Sequence, residues 1–309
     1  MSRKLYLTVL IPFLFSFNTI AQYQIGLIPR LSPSKSISAK LNYTDIKVDY
    51  GSPKVNSRSI WGGKVPYDKV WRAGADNATT IEISHDIIVQ EKILPKGKYS
   101  IFIIPHNNDK WEVVFNKIHK QWGAFDYNEK ENVLTVNSSP SSNHFREELT
   151  YEIQDLGLGN GILSFQWEKV KLNLSINTSF LDQLKSQVVS RSDTLPDSLK
   201  FGPYLQGAQH LINNSTEIEL AETWINKSEK LFDPNVEWNK NFYPKIYITG
   251  HIQWIKAKVL ARQGKFNEAL SIVGEMKKGK DKYTFYNYMG KRDRVDDYEA
   301  HWKLNKNIE

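Results

Sequence analysis

Two segments of the chain concentrate side chains able to do chemistry. The first, Arg58 to Thr79, holds Arg58, Trp61, Tyr67, Trp71, Arg72 and Asp76 among glycines and a proline. The second, Phe115 to Tyr127, holds Asn116, Trp122, Asp126 and Tyr127. Indole and phenol rings offer flat apolar faces, while guanidinium, carboxylate and amide groups offer directed hydrogen bonds. Small-molecule sites join apolar walls to a few convergent polar groups of this kind. Three uses compete. In a binding protein the loops line a shallow groove where a ring stacks on a sugar or other flat ligand, with Arg72, Asp76, Asn116 and Asp126 reading hydroxyls or a carboxylate. In a metal-independent hydrolase acting on envelope polysaccharide or peptide, Asp76 or Asp126 serves as base. In a scaffold the rings are core plugs, Arg58 and Arg72 hold loop carbonyls or pair with Asp68 and Asp76, and Trp61, Trp71, Trp111, Trp122 and Trp167 are all buried.

Other chemistries find no support. The chain has no Gly-x-Ser-x-Gly elbow, no Gly-rich phosphate loop and no His-Glu-x-x-His pair. Its histidines never fall at ligand spacing, and it has no cysteine, so disulfides, thiolate metal sites and a cysteine nucleophile are excluded. No cofactor is expected. Glu147 and Glu148 are adjacent, and neighbours on a strand point to opposite faces, so they cannot share a cleft. Lys and Arg number 41 against 34 Asp and Glu, and the small excess is spread along the chain. That is not the footprint of a nucleic-acid binder.

The elements that must position these residues change character near residue 180. Up to Ile176 the apolar pattern has period two: Ile37–Leu41, Ile46–Tyr50, Thr79–Ile83, Tyr99–Ile103, Trp111–Phe115, Val133–Val136, Leu149–Ile153 and Leu163–Ile176. Turn residues separate the runs, as at Gly51-Ser52-Pro53 and Pro95-Lys96-Gly97. Short strands at this spacing predict an antiparallel β-sandwich over 22–178, each sheet with one wet face. From Phe180 the period becomes 3.6, predicting helices near 181–188, 200–212, 217–232, 246–262, 267–276 and 296–304. Leu220-Ala221 before Asp233-Pro234, and Ala269-Leu270 after Gly264, resemble the second helix of tetratricopeptide-type hairpins. An α+β chain is therefore expected, with an all-α, hairpin-built domain over 179–309 available for protein contact. A length of 309 residues, about twice a typical domain, agrees with two domains.

Arg3-Lys4, the apolar run Leu5–Phe17 and the small-x-small site Thr19-Ile20-Ala21 have the order of a secretory signal peptide over 1–21. No later run is apolar for long enough to predict a transmembrane helix. A cysteine-free exported chain fits a bacterial periplasm or exterior.

Val65-Pro66-Tyr67-x-x-Val70-Trp71-Arg72-x-Gly74-Ala75-x-x-Ala78-Thr79 resembles the signature of the DUF2911 domain, a family of unknown function found in exported bacterial proteins. Leu94-Pro95-x-Gly97-x-Tyr99-Ser100, Asn116-Lys117 and Gln121-Trp122-Gly123-Ala124-x-Asp126-Tyr127 are similar to its further motifs. The resemblance covers about residues 30–178. It implies a β-rich exported domain, sometimes followed by helical repeats, and brings no activity or cofactor. Where the family usually reads Gly-Ala-Asn, this chain has Gly74-Ala75-Asp76. The carboxylate accepts hydrogen bonds but, ionised, donates none.

Overall fold

The computed structural model describes residues 31–215, 217–236, 245–278 and 294–307. The expected export signal lies outside these residues, as do the aromatics Tyr283, Phe285, Tyr286 and Tyr288.

Ten strands come first: β1 (Ser34–Leu41), β2 (Thr44–Gly51), β3 (Thr79–Ile83), β4 (Ile87–Val89), β5 (Lys92–Leu94), β6 (Gly97–Ile104), β7 (Trp111–Asn116), β8 (Asn132–Ser138), β9 (Ser141–Gly157) and β10 (Asn160–Asn177). They form two antiparallel sheets, ordered β1-β2-β3-β6-β7-β8 and β5-β4-β10-β9. Alternation decides which side chains go inside. Ile46, Val48 and Tyr50 are buried while Lys47 and Asp49 face outward. One apolar cluster draws on both sheets, with Ile81, Ile101, Ile103 and Val113 from the larger and Tyr151, Leu163, Phe165 and Leu174 from the smaller. Each such side chain contributes about 1.5–3 kcal/mol by leaving water.

Two features escaped the period-two reading. β4 and β5 have three residues each, too few for a periodic signal. The first half of β9, Ser141–Glu148, is polar on both faces because both are largely exposed. There β9 bulges away from β10, and residues 53–55 take over its pairing, with Val55 N donating to Glu147 O (2.8 Å) and Leu149 N to Pro53 O (3.0 Å). Glu147 and Glu148 serve different partners: Glu147 accepts from Asn56 N (2.9 Å), and Glu148 binds the Lys35 ammonium (2.7 Å).

Six helices follow among the described residues: α1 (Phe180–Asp193), α2 (Phe201–Asn214), α3 (Ile218–Leu231), α4 (Lys245–Arg262), α5 (Phe266–Lys277) and α6 (Val295–Lys303). α2 packs on α3 and α4 on α5 around a second apolar cluster. Small residues set the close approaches: Ala221 and Ala269 are fully buried, and a Cβ on Gly207 would meet the Trp224 ring at 2.7 Å. The helices begin against the β1–β2 turn, where Tyr43 stacks on Phe180 and the Gln183 amide donates to Thr44 Oγ1 (3.2 Å). None of the described helices is long and apolar enough to cross a membrane.

Candidate functional site

The first loop is anchored from beneath. Trp71 exchanges both backbone hydrogen bonds with Ile103 (2.9 Å each), after which Ala73 and Asp76 take the left-handed conformation (φ 52° and 60°) and lift the chain off the sheet. L-residues with a Cβ pay for that conformation, and such strain persists only where the surroundings over-determine it. Here two core hydroxyls grip the Ala73 carbonyl, Thr79 Oγ1 and Tyr151 OH, each at 2.9 Å. Gly51 lets the loop cross: a Cβ there would lie 2.2 Å from the Ala75 carbonyl oxygen.

The second loop is organised by Asn116, which is fully buried. Its amide donates to Asn128 O (2.9 Å) and Asn132 Oδ1 (2.8 Å), and its Oδ1 accepts from Ile118 N (2.9 Å). Ser100 Oγ and Gln121 Nε2 both donate to Ile118 O at 2.6 Å. The two loops then bond to each other: Ala78 N donates to Gln121 O (3.1 Å), Gly123 N donates to Asp76 O (2.9 Å), and Asn77 bridges Trp122.

Together they roof part of the outer face of the six-stranded sheet, burying Phe102, Val114 and Ala78, with the Tyr127 ring 5.0 Å from that of Phe102. Over β1 and β2 the same face is more open, with Ser36 and Lys47 exposed and Asp49 half-buried. A groove of about 670 Å³ lies at the step between roofed and open sheet. Its floor is the register row Ser36–Asp49–Thr80, one flank is Ala75–Ala78, and one end is His119–Trp122.

Both loops fall within residues 32–176. That stretch matches the DUF2911 family, described as a protein of unknown function. No curated protein and no solved structure matches the chain.

Of the ten side chains expected to act together, two line the groove, Asp76 and Trp122. Trp61 and Trp71 turn inward and pack with Trp111, Phe165 and Trp167, and Trp71 stacks on Trp167 at 5.8 Å. Arg58 folds back on the carbonyls of Lys54 and Val55. Tyr67 packs over Gly62. Tyr127 accepts from Asn132 Nδ2 (2.9 Å), Asn116 spends its amide on the loop, and Asp126 is exposed outside the groove. Arg72 lies beneath the loop beside Gly123; burial lowers its guanidinium below the ordinary value, against the pull of the Asp76 charge.

Sequence reasoning missed Ser36, Asp49, Thr80, Lys98 and Gln121 as groove residues. The signal available was that the first four stand at the wet positions of the period-two pattern. Three of the groove's charges are neutralised in place, while Lys120 and Asp76 form no ion pair among the described residues. Lys98 pairs with Glu82 (3.2 Å) and Lys35 with Glu148. Burial tends to raise the Asp49 carboxyl, but hydrogen bonds from Lys47 (2.9 Å) and Ser36 more than offset it and hold it below the usual range. Trp122 is 51% exposed, whereas Trp111 and Trp167 are buried. Asp76 Oδ2 and Gln121 Oε1 are buried without a hydrogen-bond donor, and Arg72 Nε is buried without an acceptor. No cluster of three or more His, Asp or Glu suited to a metal ion occurs among the described residues.

Proposed function

We propose that this is an exported bacterial protein, periplasmic or extracellular, that binds a polar ligand, specifically carbohydrate, without transforming it. In this reading the two sheets form a β-sandwich over 22–178. The helices over 179–309 form tetratricopeptide-like hairpins that offer a surface to a protein partner. The observation that carries the binding role is the half-exposed Trp122 ring at the end of a groove floored by short polar side chains. A pyranose offers hydroxyl donors at its edge and an apolar face for an indole, and a floor whose one carboxylate, Asp49, is taken up by Lys47 suits a neutral ligand.

Asp49 and Asp76 line one groove, which keeps hydrolysis as the second reading. Paired-carboxylate cleavage needs one carboxyl held protonated, and Asp49 is held ionised. Binding is tested by titrating the full chain with a panel of neutral and acidic glycans while following tryptophan fluorescence, with Trp122→Ala as control. Saturable changes lost in the variant are expected; silence across the panel defeats the reading. Turnover of polymeric substrates abolished by Asp76→Ala or Asp126→Ala would favour the hydrolase.

A further inference from the structure

We propose that the groove recognises the end of a linear neutral glycan rather than an internal stretch. This rests on the binding reading above and adds the direction in which the ligand lies. The argument begins with strand register. Ser36 faces Asp49, Asp49 faces Thr80, and Thr80 faces Ser100, so one row of short polar side chains crosses β1, β2, β3 and β6. Neighbouring strands lie about 4.8 Å apart, so the uncovered part of the row, Ser36 to Thr80, extends about 10 Å, room for about two sugar rings.

Its two ends differ. At β6 the row is stopped: Ser100 is fully buried, its hydroxyl donates to Ile118 O (2.6 Å), and the loop carrying Gln121 and Trp122 closes over it. At β1 the row reaches the edge of the sheet, where Ser36 is exposed. The blind end is also where Trp122 stands half-exposed. A terminal ring seated there stacks on Trp122, while the chain runs out across Thr80, Asp49 and Ser36. A polymer passing through has no exit at β6.

Nothing along the row asks for a charged sugar. Asp49 is taken up by Lys47 and Ser36, and Lys98 by Glu82. A neutral chain meets no unpaired charge on the floor.

The experiment uses the whole protein and ladders of linear β-1,4-glucan, β-1,3-glucan, α-1,4-glucan and chitin oligomers from one to six residues. Each ladder is tested free, with a bulky cap on the non-reducing end, and with a bulky cap on the reducing end. Affinity is expected to rise with length and level off near two rings, and a cap at one end alone should weaken binding about tenfold or more. Ser36→Trp, at the open edge, should erase most of the gain with length, and Trp122→Ala should weaken every member about tenfold or more. Equal binding by free and doubly capped chains, or by cyclic and linear glucans, overturns end recognition while leaving carbohydrate binding in place. If no ladder binds, or an unrelated peptide panel binds instead, the carbohydrate reading itself fails and this inference with it.

Discussion

The tryptophans of the two loops and those of the strands beneath them divide into an inner group and a single outer one. Trp61, Trp71, Trp111 and Trp167 pack ring against ring in the apolar cluster that draws on both sheets, at centroid separations of 4.7–6.0 Å. Trp122 sits on the opposite side of the six-stranded sheet, half exposed at the groove. Trp71 and Trp122 are each held by a backbone bridge, Trp71 to Ile103 and Trp122 to Asn77. The partner decides the fate of the ring. Ile103 belongs to a strand whose side chain points into the core, so an indole paired beside it is drawn inward. Asn77 belongs to a lifted loop over the outer face, and an indole paired there has only the rim to occupy. An aromatic residue in a β-rich chain is thus read through its bridge partner more reliably than through its type.

The largest effect should come from breaking the inner group. Trp71→Ala removes a ring that touches Phe165 and Trp167, and large-to-small core changes of this kind cost about 3–5 kcal/mol. Trp122→Ala should change stability by less than about 0.5 kcal/mol, as exposed positions usually do. Urea unfolding of both variants measures the contrast; comparable losses would abolish the distinction between the two groups. Acrylamide quenching sharpens it further, since the readily quenched emission should fall more in Trp122→Phe than in Trp71→Phe.

That distinction sets the limit of what the sequence reveals. Alternation of Ile46, Val48 and Tyr50 with Lys47 and Asp49 is a direct imprint of a sheet with one wet face, and the longer strands and the helices were legible for that reason. The site was legible only in part. Asp76 and Trp122 were singled out by residue type, and both do line the groove. The other eight were singled out by the same residue types in the same two segments, and residue type says nothing of which side of the sheet a loop crosses. Asn116 resembles a ligand-reading amide in sequence, yet its three hydrogen bonds are all internal and shape the second loop. The floor residues carried no chemical signature at all. Ser36, Asp49 and Thr80 become a row only through strand register, and register is a long-range property.

A smaller effect should come from the tie between core and rim. Tyr151 OH donates to the Ala73 carbonyl at 2.9 Å, and Thr79 Oγ1 donates to the same oxygen. Burial pushes the Tyr151 phenol well up, so it remains a donor at any working pH. Tyr151→Phe keeps the ring contacts with Tyr50 and Phe165 and removes one of the two bonds. The expected loss is about 1 kcal/mol in urea unfolding. Because the left-handed turn at Ala73 and Asp76 depends on that carbonyl, amide exchange over 73–78 should quicken more than elsewhere.

The smallest effect concerns pH, and it separates the two groups once more. His106 lies between Asp68 Oδ1 (2.5 Å) and Glu112 Oε1 (3.1 Å), while Asp68 N donates to Pro105 O (2.8 Å), so this clasp fastens the loop that carries Trp61 and Trp71. The Asp68 hydrogen bond raises the imidazole above its ordinary value; partial burial opposes it and Glu112 assists. A raised folded-state value means that the charged form favours the fold. The contribution is therefore complete below the unfolded pKa, about 6.5, and fades as pH climbs through the higher folded value. Asp68 is largely exposed, so the whole effect should stay under about 1 kcal/mol. The unfolding midpoint of wild type should exceed that of His106→Gln near pH 5.5, with the gap closing as pH rises through the folded-state value. His106 fastens the inner tryptophans and is no part of the groove lining, so replacing it should leave glycan affinity at Trp122 unchanged across that range. A parallel drop in affinity would mean that the two groups are coupled through the shared loop and are not separable in function.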